Sequence, residues 1–108
     1  MSWQHQEGAQ FTITVYTGMQ DGFWVTGYEL DFSGKDGFKR FREVSGKYGQ
    51  WERPDMAVAD TIEGIYNQLL EQRIAYGNQS KDVNLAGAIM VLQNEHLKRT
   101  GKQLKLFK

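Results

Sequence analysis

The stretch "QFTITVYTGMQDGFWVTGYELDF", residues 10–32, decides the fold class. Phe11, Ile13 and Val15 alternate with Thr12, Thr14 and Tyr16, the period-two pattern of a strand with one buried face. Asp21-Gly22 supplies turn chemistry, and "FWVTGYELDF" reads as a second strand. The two runs predict an antiparallel hairpin with a loop of several residues. Gly27, inside the second strand, marks a bulge or a close approach of neighbouring backbone.

Upstream, residues 1–9 carry no such pattern and read as a mobile lead-in. Downstream, "SGKDGFKRFREVSGKYG" over residues 33–49 is ambiguous. Ser33 with Asp36 resembles an N-cap, and Phe38, Phe41 and Val44 recur every three residues, which predicts a short helix. A further strand is the alternative. Pro54, Asp55 and Asp60 suit the start of a long helix, whose apolar stripe is Val58, Ile62, Ile65, Tyr66 and Leu69. That helix is expected to stop near Gly77. Ser80 then caps another helix, with Asp82 in its first turn. Leu85, Ile89, Leu92 and His96 lie along one face of it, with Ala86 and Met90 alongside. Gly101 is a helix terminator, and Lys98 and Arg99 suit the negative end of the dipole. The expected architecture is α+β. An N-terminal antiparallel hairpin or small sheet packs against two or three helices in a single domain over residues 1–100, and residues 101–108 form a tail.

Composition narrows the function classes. The chain has 108 residues and no cysteine, which excludes disulfides and thiolate metal sites and fits a reducing compartment. Its start has no secretory pattern, and "LAGAIMVL" is too short to span a bilayer, so a soluble cytoplasmic protein without a membrane partner is expected. Lysine plus arginine balances aspartate plus glutamate at a formal charge of zero, which argues against strong non-specific binding of nucleic acid. Two local runs are nevertheless basic. Lys39, Arg40 and Arg42 in the first, and Lys98, Arg99 and Lys102 in the second, are the candidate phosphate contacts if the fold brings the runs together.

Few residues carry recognisable chemistry. At Gly34-Lys35 and Gly46-Lys47, the position that must be glycine in a phosphate loop is Glu29 in the first case and Phe41 in the second. No G-x-S-x-G elbow occurs. The two histidines, His5 and His96, lie in no ligand spacing, and His96 reads as a packing residue. No cofactor or resident metal is expected. The one arrangement that suggests catalysis is Glu29 and Asp31 on one strand face, with Asp60 and Glu63 on one helix face. If they converge, the chain is a small metal-dependent DNA-processing enzyme. Trp3, Trp24, Tyr48 and Trp51 are candidates for base stacking, for an interface or for the core.

The end of the chain is more specific. Gln103-Leu104-Lys105-Leu106-Phe107 resembles the bacterial sliding-clamp-binding motif, the Q-L-x-L-F peptide by which polymerases, mismatch-repair factors and replication regulators hold the DNA-encircling clamp. Gln103, Leu104, Leu106 and Phe107 match, while Lys105 departs from the serine or aspartate often found at the middle position. Four fixed positions arise by chance in roughly one chain of this length in several hundred. The resemblance implies a small accessory or regulatory protein of DNA replication, repair or recombination, bacterial or phage-encoded. It would bind the clamp and either recruit clients or compete with them. DNA or a second replication or repair protein would be the partner of the folded part. A protein-interaction or inhibitor module, with the tail as a structural strand, is the other reading of the same residues.

Overall fold

A computed structural model describes residues 2–7, 11–32, 37–76 and 83–104. Its elements are strands β1 (Ser2–Glu7), β2 (Phe11–Gln20), β3 (Phe23–Phe32) and β4 (Phe38–Ser45), a 3-10 turn at Gly46–Tyr48, and helices α1 (Pro54–Tyr76) and α2 (Val83–Thr100). The class is α+β. The strands form one antiparallel sheet in the order β1-β2-β3-β4, which is larger than the expected hairpin. The chain divides into two compact units, residues 1–61 and 62–108, and α1 contributes to both.

The hairpin is tighter than the sequence suggests. Gln20 pairs directly with Phe23, so the loop is only Asp21-Gly22. Both residues have positive φ, 54° and 84°, as a two-residue primed turn requires. Asp21 tolerates that region because its short side chain costs little there.

Residues 2–7, read as a lead-in, form strand β1. Its alternation is hidden by chemistry. Trp3 and His5 share the inner face with Ile13 and Val15, while Gln4 on the other face is exposed. The His5 ring stacks on Phe11 at 5.6 Å. The stack continues from Phe11 to Phe32 at 5.5 Å and from Phe32 to Phe38 at 4.6 Å, crossing all four strands.

The segment expected as a short helix is strand β4, and residues 33–36, including the Ser33–Asp36 cap, lie outside the described residues. Three-residue recurrence of Phe38, Phe41 and Val44 misleads here, because period two sorts β4 differently. Phe38, Arg40 and Arg42 turn inward, opposite Phe32, Leu30 and Tyr28, while Phe41 turns outward. The arginines occupy the inner face through their stems and through ring contacts. Arg40 lies over Phe38 at 4.7 Å, and Arg42 lies over Tyr28 at 4.8 Å and Tyr48 at 4.4 Å.

Gly27 bears out its reading. The ladder between β3 and β4 shifts register between Thr26 and Tyr28, and a Cβ at Gly27 would sit 2.5 Å from the Arg42 carbonyl oxygen and 2.6 Å from the Val44 nitrogen. The β4 backbone therefore lies directly over this position, which only glycine leaves open.

Beneath the bulge a polar chain enters the core of residues 1–61. An Arg42 Nη donates to Thr26 Oγ1 at 2.9 Å, and Thr26 Oγ1 lies 2.6 Å from Thr61 Oγ1. Thr61 in turn donates to the Ala57 carbonyl at 2.8 Å, so Thr26 is the donor of the middle bond. Thr26 and Thr61 are buried, and this chain supplies the partners that burial demands.

Both helices follow the sequence reading. Val58, Ile62, Ile65, Tyr66 and Leu69 on α1 are buried, as are Leu85, Ile89, Leu92 and His96 on α2. Met90, expected beside that stripe, is exposed. Gly101 adopts φ 73° and its N–H bonds the Leu97 carbonyl, closing α2. The expected cap at Ser80 and Asp82 lies outside the described residues, as does Gly77. Among the described residues no helix is long and apolar enough to cross a membrane.

Candidate functional site

The motif-bearing segment begins where α2 stops. After Gly101, the Lys102 N–H donates to Thr100 Oγ1 at 3.1 Å, and that hydroxyl donates to the His96 carbonyl at 2.9 Å. His96 Nδ1 lies 3.1 Å from the Lys102 carbonyl oxygen, a contact that requires the proton on Nδ1. Its Nε2 lies 3.9 Å from a Glu63 carboxylate oxygen. The Gln93 amide then donates to the Leu104 carbonyl at 3.1 Å. The chain leaving α2 is thus held at Lys102 and again at Leu104 by side chains one turn apart on the helix.

This grip sets the accessibility of the first motif residues. Gln103 is exposed, whereas Leu104 is buried. Residues 105–108, with Leu106 and Phe107, lie outside the described residues. His96 was legible as a packing residue of α2, but its bond to Lys102 was not. That partner is a backbone carbonyl six positions onward, which no side-chain pattern signals.

The basic residues divide by strand parity. Arg40 and Arg42 face inward onto rings, and burial lowers the proton affinity of Arg42 from the ordinary arginine value. Its Nε is buried with no hydrogen-bond partner among the described residues. Lys39 faces outward, 3.8 Å from Asp31. On α2, Arg99 pairs with Glu95 at 2.9 Å, while Lys98 and, beyond the helix, Lys102 are exposed. Of the six candidate phosphate contacts, Arg40 and Arg42 are thereby turned to packing.

The candidate carboxylates have separate local duties. Glu29 and Asp31 share the outer face of β3, as expected. Glu29 accepts from the Tyr16 hydroxyl at 3.2 Å, and that bond is the main cause of a raised Tyr16 pKa. Asp60 accepts from the Trp51 indole at 2.7 Å, and Glu63 faces His96. Among the described residues no group of three or more His, Cys, Asp or Glu side chains forms a metal-holding cluster.

The tryptophans also join elements. Trp24 and Trp51 exchange both backbone hydrogen bonds, at 2.8 and 2.9 Å, tying the loop before α1 to β3. The Trp51 ring lies over Gly49, whose φ of 142° and missing side chain allow the approach.

No protein-family model matches this sequence, and no significant similarity to a curated protein or to a solved structure was found.

Proposed function

We propose that this chain is a small accessory or regulatory protein of bacterial or phage DNA metabolism that docks on the DNA sliding clamp through Gln103–Phe107. The observation that carries the reading is the Q-L-x-L-F peptide itself, placed directly after the Gly101 stop with Gln103 exposed. Leu106 and Phe107 enter one apolar pocket of the clamp, and Gln103 hydrogen-bonds in a smaller polar site. Burying those two apolar side chains contributes about 3–6 kcal/mol before ordering costs, so the peptide alone is a modest binder. Leu104 must leave its buried position to add contact, and the chain and the clamp therefore compete for it.

In this reading the protein works in the cytoplasm of a bacterial cell. DNA, or a second replication or repair protein, is the other partner. Among the described residues, Lys98 and Lys102 are the exposed basic groups nearest the peptide and are suited to a phosphate backbone. Occupying the clamp pocket recruits the chain when a second partner is bound and blocks clamp clients when none is.

The test is calorimetric titration of a bacterial sliding clamp with the full chain and with a Leu106→Ala/Phe107→Ala double variant. Micromolar or tighter binding that disappears in the variant supports the reading. Absence of binding by the full chain overturns it.

A further inference from the structure

Strand β4 is an edge among the described residues: it pairs with β3 and with no other strand. At its centre Phe41 is 73% exposed, the most solvent-open large apolar side chain of the sheet. A free edge offers a row of unpaired backbone groups to another strand. The residues along this edge specify which strand fits.

When a strand pairs antiparallel with a copy of itself, opposed side chains lie on the same face, so the two-fold axis passes through a residue. Three centres keep the pairing on β4, which is regular from Phe38 to Arg42 and bulged at Glu43 and Val44. Centring on Arg40 sets Lys39 against Phe41 and Arg40 against itself. Centring on Arg42 sets Phe41 against Glu43 and Arg42 against itself. Centring on Phe41 sets the two Phe41 rings together and places Lys39 opposite Glu43 on both sides of the axis. Only the last brings opposite charges and an aromatic pair into register, the cross-strand pairs that stabilise sheets.

We propose that β4 pairs with β4 of a second copy of this chain, centred on Phe41, to make a two-fold dimer with a continuous sheet. The existing partners of the charged residues do not oppose it. Lys39 meets Asp31 at 3.8 Å and Glu43 meets Lys47 at 3.9 Å, and all four side chains are well exposed, so these pairs exchange at little cost. In the same register Arg40 falls opposite Arg42 on the inner face. Each is drawn back onto its own sheet, Arg40 over Phe38 and Arg42 onto Thr26 between two tyrosine rings. The ladder is short and its outer Lys39–Glu43 pairs reach the bulge at Glu43, so the dimer is weak and concentration-dependent. The inference is independent of the clamp reading.

Sedimentation equilibrium of the full chain, from about 5 μM to about 500 μM, tests it in the range expected for a small interface. The expected result is a monomer–dimer equilibrium. Lys39→Glu or Glu43→Lys alone turns both symmetry-related pairs repulsive and weakens the dimer about tenfold, and the double variant restores it. Restoration separates pairing from stability, because the double variant still lacks both the Lys39–Asp31 and the Glu43–Lys47 pairs. The chain has no cysteine, so Phe41→Cys gives a single thiol per copy, and across the axis the two fall within disulfide reach. Rapid covalent dimerisation of Phe41→Cys, and not of Tyr16→Cys on the interior strand β2, is expected. A monomer throughout the range overturns the proposal, as does a dimer insensitive to both single charge reversals.

Discussion

Strands β3 and β4 lie side by side in one sheet, yet they finish its inner face with opposite chemistry. β3 presents Tyr28, Leu30 and Phe32, all buried. β4 presents Arg42, Arg40 and Phe38 opposite them, and puts its Phe41 into solvent. An interior strand is covered by neighbours on both sides, so its inward residues are apolar or, like Thr26, have hydrogen-bond partners inside the protein. A strand at the margin can cover the rings beside it with arginine stems and guanidinium faces, as Arg40 does over Phe38 and Arg42 over Tyr28 and Tyr48. Position in the sheet, more than strand propensity, decides which side chains turn inward.

Five substitutions sharpen or break this contrast. Leu30→Ala is expected to cost about 3 kcal/mol in denaturant unfolding, since its site is fully enclosed, while Arg40→Ala directly opposite costs under about 1 kcal/mol. Equal losses would abolish the distinction between interior and margin. Gly27→Ala comes next, at about 2 kcal/mol, because the new methyl meets β4 backbone that has to move. The expected signature is loss of hydrogen-exchange protection in β4 while the β2–β3 amides stay protected. A neutral result would mean the two strands are not locked at the bulge.

Arg42→Met keeps the stem over the rings and removes the donor to Thr26, leaving that buried hydroxyl one partner short. A loss of about 1–2 kcal/mol is expected, and because Thr26→Val removes the acceptor of that same bond together with the Thr26 bond to Thr61, the double variant loses less than the sum of the two single variants. Full additivity in that double variant would show the bond to be idle. Smallest of all, Phe41→Ser at dilute protein should change stability by under about 0.5 kcal/mol. A larger loss would reveal that this outward ring is covered within one copy.

The same contrast explains what the sequence discloses. β2 and β3 are legible because covering on both sides enforces alternation. Gly27 is legible because a glycine inside such a pattern has few other uses. The α1 and α2 stripes and the Gly101 stop are legible for similar reasons, each being a local pattern with one physical cause. β4 and β1 escape the reading because arginine and histidine fill inner-face positions that a hydrophobic count treats as exposed. The hairpin loop appears longer than it is because Asp21 takes a left-handed conformation that glycine ordinarily supplies. At the terminal peptide, the motif is visible as a string of letters. The grip on it by Gln93 and His96 depends on backbone carbonyls, which the order of side chains does not encode.

The placement of the tryptophans has an optical consequence. All three, Trp3, Trp24 and Trp51, fall within residues 1–61, and residues 62–108 contain none. Tryptophan emission during unfolding therefore watches the sheet-bearing unit alone. Far-ultraviolet circular dichroism draws most of its amplitude from α1 and α2. The unlabelled chain thus carries two colours of signal, one from the sheet-bearing unit and one from the helices, of which α1 contributes to both units. Superimposed melting curves would mean that the parts fail together, and an emission change that leads or lags the dichroism would time them separately.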